Sequence, residues 1–119
     1  MKTLTLMLLV VLMLASGGCE KWFTTDVKYE VECDPPGFTV TYTTKNGVLV
    51  DQTITGNFWT KEIAIDKEVE EVWLFANSDS SFSSLFSLAS MTGRIYVDGT
   101  LEAERTSENC IGVILFVEL

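Results

Sequence analysis

Downstream of residue 26 the sequence predicts an all-β domain, on three observations. Apolar and polar residues alternate with period two in several stretches, the mark of strands with one buried and one wet face. Turn signals punctuate the chain at short intervals: Pro35-Pro36-Gly37, Asn46-Gly47, Gly56-Asn57 and Asp98-Gly99. No long stretch of this region carries the 3.6-residue period of an amphipathic helix.

The first 26 residues are of another kind. Lys2 supplies a positive start, 4–15 is apolar apart from Thr5, and Ser16-Gly17-Gly18 is a run of small residues before Cys19. That is the order of a secretory signal, and the apolar run falls short of the roughly 20 residues that span a bilayer. A cysteine directly after the small residues resembles the bacterial lipoprotein signal, although Ser16 stands where that signal usually has leucine. The expected organisation is a signal peptide at 1–18, a lipidated Cys19 with a tether to 26, and one domain over 27–119. In the competing reading the protein is plainly secreted and Cys19 pairs with another cysteine. Each buried lipid CH₂ contributes about 0.8 kcal/mol, so two or three acyl chains anchor a domain durably. The expected location is the cell envelope, on a bacterial membrane and most simply the outer one, facing the periplasm or the cell surface.

Loss of 1–18 removes one cation, Lys2, from 8, leaving 7 basic residues against 17 acidic ones and a net charge of −10. Such a field excludes nucleic acid as a partner and disfavours adhesion to anionic lipid. A domain of this size has a modest core. With Cys19 lipidated, Cys33 and Cys110 remain. In an oxidising compartment they can pair, closing a loop of more than about 70 residues worth about 4 kcal/mol in the chain-entropy model. Alternatively each is a buried core thiol.

In chain order, Val27, Tyr29, Val31 and Cys33 alternate with Lys28, Glu30 and Glu32, a strand that Pro35-Pro36 ends. Phe38, Val40 and Tyr42 alternate with threonines, a strand with a polar outer face. Asn46-Gly47 suits the two positive φ angles of a type I′ turn, predicting a hairpin into 48–55. After Gly56-Asn57, Trp59, Ile63 and Ile65 share the inward face of the next strand. Asp66-Lys67-Glu68 turns into 69–76, where Val72-Trp73-Leu74-Phe75 predicts a strand covered on both sides or facing a partner.

Segment 78–91 is serine-rich, yet Phe82, Leu85, Phe86 and Ala89 fall at i, i+3, i+4 and i+7. It reads either as two helical turns or as an irregular strand. Its phenylalanines either cap the core or bind a partner, which makes Phe82, Leu85 and Phe86 the candidate partner-binding residues. Ile95 and Val97 then face inward and Arg94 and Tyr96 outward. Asp98-Gly99 signals a second hairpin into 100–106, an edge strand defended by charge, with Leu101, Ala103 and Arg105 opposite Glu102 and Glu104. Segment 110–118, dominated by Ile111, Val113, Ile114, Leu115, Phe116 and Val117, is expected to be central or buried. Seven or eight short strands with no internal repeat predict an immunoglobulin-like β-sandwich rather than an up-and-down barrel.

Tyr29-Glu30-Val31, the run from Gly37 to Thr43, Gly93-Arg94-Ile95-Tyr96-Val97-Asp98-Gly99 and Cys110 resemble the MmpS-type domain. That family is named for membrane-associated accessory proteins of lipid transporters, and similar domains occur as short lipoproteins of Gram-negative bacteria. The resemblance covers about Val27 to Leu119 and implies an Ig-like sandwich with an accessory role. The chain departs from it in the apolar segment 78–91 and in having a lipoprotein leader where transporter-linked members have a membrane helix.

No catalytic pattern accompanies these features. There is no histidine, hence no usual general base, serine triad or imidazole ligand. No Gly-x-Ser-x-Gly elbow or phosphate loop occurs, and Cys33 and Cys110 lack an imidazole to generate a thiolate. Asn77-x-Asp79-x-Ser81 lacks the glycine and glutamate of a calcium loop, with Phe82 and Leu88 in their places. No cofactor or metal is expected. Trp59, Trp73, Tyr42 and Tyr96 could stack on a sugar or anchor a protein, but Trp59 and Trp73 read as core residues. The expected function is that of a non-catalytic, membrane-anchored interaction or accessory module with an envelope protein as partner. A carbohydrate- or lipid-binding module is the alternative.

Overall fold

The structure, a computed structural model, describes residues 24–34, 36–78, 90–108 and 112–119. Among these residues eight antiparallel strands form two four-stranded sheets: β1 (Thr24–Asp34), β2 (Phe38–Thr43), β3 (Leu49–Ile54), β4 (Phe58–Asp66), β5 (Glu71–Ser78), β6 (Ser90–Val97), β7 (Thr100–Glu108) and β8 (Gly112–Glu118). The first sheet has the order β4-β1-β6-β7 and the second β3-β2-β5-β8. Among the described residues there is no helix. The expected all-β domain of seven or eight strands is what the chain forms.

Period-two alternation places the core. Val27, Tyr29, Val31 and Cys33 of β1 are buried, as are Phe38, Val40 and Tyr42 of β2 and Val72, Leu74 and Ala76 of β5. Trp59, Ile65, Met91, Ile95, Val113 and Leu115 complete the layer between the sheets. Gly93 lets the layers approach: a Cβ there would lie 2.8 Å from Leu115 Cδ1 and 3.1 Å from Val113 Cγ2. An aromatic chain crosses the core, with Tyr29 and Tyr42 centroids 5.6 Å apart and Tyr42 and Trp59 5.1 Å apart. Tyr29, in the first sheet, donates its hydroxyl to the Thr43 carbonyl of the second at 2.8 Å. That carbonyl is available because the β2–β5 ladder ends at Tyr42↔Leu74, and the next amide, Trp73 N–H, donates to the Thr43 hydroxyl at 2.8 Å. Burial pushes the Tyr29 phenol far above its usual range.

At four places the structure corrects the sequence reading. Asn46-Gly47 does not form a type I′ turn, since only Gly47 has positive φ (86°). The Gly47 amide donates to the Thr44 carbonyl and the Thr44 amide to Val48, a type I turn closed by a glycine bulge. At Asp98-Gly99 both φ values are positive (50° and 84°), the type I′ pattern. Leu101, expected inward with Ala103, is 45% exposed and pairs with outward-facing Tyr96. A bulge after Ile95 makes Ala103 its partner and skips Glu102, which reverses the facing of Leu101. Segment 110–118, expected to be central or buried, yields β8 at the edge of the second sheet, paired only with β5, with Val113 and Leu115 buried and Ile114 and Phe116 exposed. Trp73, expected in the core, lies on the outer face of β5. The edge position of β7, the inward Trp59 and the outward Arg94 and Tyr96 are as anticipated.

Candidate interaction surface

The outer faces of the two sheets differ in kind. On the first sheet, β1, β6 and β7 bring Glu30, Glu32 and Glu104 around Arg94. Arg94 Nε donates to Glu104 at 2.7 Å, and Nη1 lies 3.4 Å from Glu32 and 3.7 Å from Glu30. The Tyr96 hydroxyl donates to Glu30 at 3.1 Å. Lys28 Nζ lies 3.5 Å from the same carboxylate and 4.3 Å from the Tyr96 ring centroid. Thr92 and Thr106 hydroxyls meet at 2.9 Å. Two apolar side chains lie apart on this face, Phe58 of β4 opposite Glu32 and Leu101 of β7 opposite Tyr96.

The second sheet presents β5 and β8 outward with the opposite chemistry. Since Val72, Leu74 and Ala76 point inward, Trp73 and Phe75 point outward; since Val113 and Leu115 point inward, Ile114 and Phe116 do too. Register sets Trp73 opposite Phe116 and Phe75 opposite Ile114. Ring centroids are 4.9 Å apart for Trp73 and Phe116, at 26°, and 5.7 Å for Trp73 and Phe75, at 21°. Both neighbours thus stack on the indole instead of lying beside it in one plane. Even so Phe116 remains 52% exposed and Ile114 57%, and Leu49 on β3 extends the apolar surface. Thr41 joins β3 to this sheet by donating to Asp51 at 2.6 Å.

Two open grooves lie elsewhere. One of about 680 Å³ is lined by Asp26, Lys28, Glu62, Lys67, Tyr96 and Asp98 among others, and one of about 610 Å³ by Glu32, Cys33, Asn57, Phe58 and Ser90 among others. Both are of mixed polarity, and in the first the Tyr96 ring already holds Lys28. Among the described residues no three carboxylates or thiols gather as a metal site.

Of the residues singled out from sequence, Cys33 is buried near the end of β1, where its amide donates to the Asn57 carbonyl and its carbonyl accepts from Asn57 Nδ2. Cys110, the possible disulfide partner, Cys19, the candidate lipidation site, and the candidate loop residues Phe82, Leu85 and Phe86 lie outside the described residues. Sequence reasoning missed Ile114 and Phe116, the most exposed members of the apolar face. Their signal was present: in 112–118 both parities are apolar, which fits an edge strand with a bare outer face as well as a buried one. Set against known proteins, the chain matches no family model and no curated protein.

Proposed function

We propose that the chain is an exported lipoprotein, held at a bacterial envelope membrane through lipid on Cys19, whose domain is a non-catalytic protein-interaction module. Its two-layered, non-sequential strand order fits the immunoglobulin-like sandwich, and with the motifs around Tyr29, Phe38 and Arg94 it fits an accessory module of the MmpS type. One observation carries the reading. The outer face of β5 and β8 gathers Trp73, Phe75, Ile114 and Phe116 with no element of the described domain over them, while the outer face of the first sheet centres on ion pairs and carries Phe58 and Leu101 singly, on its two edge strands. Exposed aromatic and aliphatic side chains gathered on one sheet face mark a protein contact. The stacking of the rings supports a protein more than a sugar, since a stacking platform for a sugar presents free ring faces. The open, mixed grooves support a lipid cavity still less.

The test uses the full-length chain in envelope membranes. Cross-linked partners of the wild type are compared with those of an Ile114→Ser/Phe116→Ser variant and a Phe82→Ser/Phe86→Ser variant. The first pair should lose the wild-type partner, and the isolated partner should recapture only the wild type. An unchanged partner for the first pair refutes docking through this face, and loss confined to the second pair moves the contact to 78–91. Cys19→Ser should shift the protein from the membrane to the soluble fraction, and retention at the membrane refutes the anchor.

A further inference from the structure

We propose that the partner reaching this face is a protein surface bearing lysine or arginine side chains; this rests on the docking reading above and names its chemistry. Next to the Trp73–Phe116 row, register sets Glu71 of β5 directly opposite Glu118 of β8. Both face the same side as the aromatics, and both are exposed. Carboxylates directly opposite on antiparallel strands repel one another at Cβ separations of about 5 Å. Among the described residues neither carboxylate has a cation within ion-pair distance. Asp51 adds a third acid on the β3 side of the same face.

The first sheet shows what such an arrangement holds. There Lys28 sits over the Tyr96 ring and against the Glu30 carboxylate, and Arg94 draws three glutamates together. An aromatic ring beside a carboxylate therefore holds a cation twice over, through the ring quadrupole and through charge. On the second sheet the ring and the carboxylates are both present, and among the described residues no cation pairs with Glu71 or Glu118. A net charge of −9 steers cationic surfaces toward the domain and repels anionic ones.

The test titrates the full-length protein in detergent with a synthetic peptide alternating valine and arginine, and with valine–glutamine and valine–glutamate analogues. Amide shifts of β5 and β8 locate binding. The arginine peptide should bind this face, weaken as salt rises, and outbind the glutamine peptide on the order of fivefold. Glu71→Gln/Glu118→Gln should abolish that preference and, by removing repulsion, leave thermal stability equal or higher. Equal binding of the arginine and glutamine peptides, or an unchanged preference in the double variant, overturns the cationic partner. If the Ile114→Ser/Phe116→Ser pair still loses the envelope partner in that event, docking stands and only its chemistry falls. Binding of this face to vesicles of anionic phospholipid would also overturn it, in favour of a lipid surface.

Discussion

Replacing Tyr29 by phenylalanine isolates a side-chain hydrogen bond that ties the two sheets through the core. The ring stays and packs as before against Tyr42; only the hydroxyl leaves. Tyr29 is 0% exposed, and its 2.8 Å bond ends on a carbonyl whose neighbouring ladder amide is already committed to the Thr43 hydroxyl. The variant therefore leaves a buried acceptor short of a partner, which costs about 1–3 kcal/mol. For a domain of this size each kcal/mol lowers Tm by about 4–8 °C, so a fall of about 6–15 °C is expected by calorimetry. The alkaline limb gives a second readout. The folded phenol titrates far above the unfolded one, so the stability it contributes is complete below about pH 10 and is lost as pH rises beyond. Between pH 9 and pH 11 the wild type should lose stability through this group, and Tyr29→Phe should lack that component. A variant as stable as the wild type at pH 7, with the same slope above pH 10, would refute the buried bond as an inter-sheet tie.

Gly47→Ala should cost about 1 kcal/mol because Gly47 sits at φ 86°, whereas Asn46→Ala should be nearly neutral; equal losses by denaturant titration would restore the type I′ turn. Gly93→Ala should lower stability by about 1–2 kcal/mol at unchanged m-value, since its Cβ would meet Leu115 and Val113. Arg94→Met leaves Glu30, Glu32 and Glu104 without their shared cation and should cost about 1 kcal/mol at low ionic strength, shrinking toward zero in 1 M salt. Sedimentation should show self-association growing as salt screens the net charge of −9, and Ile114→Ser/Phe116→Ser should suppress that growth.

Strands were legible in the sequence because period-two alternation is a local property. The pattern from Val27 to Cys33 identified four core residues correctly, and of the threonines read on the outer face Thr39 and Thr41 are partly exposed while Thr43 is buried. What the sequence concealed is non-local. Whether 112–118 lies at the centre or the edge depends on which strands flank it, and both positions accept Val113 and Leu115 inward with apolar neighbours outward. Trp73 was misplaced for the same reason: a central strand with a bare outer face has the composition of a doubly covered one. Leu101 changed sides because one skipped residue, Glu102, reverses the parity of all that precedes it on β7. Asn46-Gly47 suits two turns, and the hydrogen bonding of Thr44 with Val48 and Gly47 selected between them. Of the candidate site, the sequence contained the apolar face but not its address, which only register across β5 and β8 supplies.

That register also connects the two chemistries of the second sheet. A sheet face carrying exposed Phe116 and Ile114 invites contact between identical copies, a hazard that edge strands are ordinarily shaped to avoid. Here the hazard is opposed by charge. In antiparallel partners Glu71 and Glu118 stand side by side at one end of the apolar rows, where a copy facing them with the same ends aligned would set four carboxylates against each other. The same carboxylates that exclude a second copy favour a cationic surface. A repulsion between two glutamates that costs the folded domain stability thus admits one class of partner and rejects another, as specificity built on unlike affinities requires.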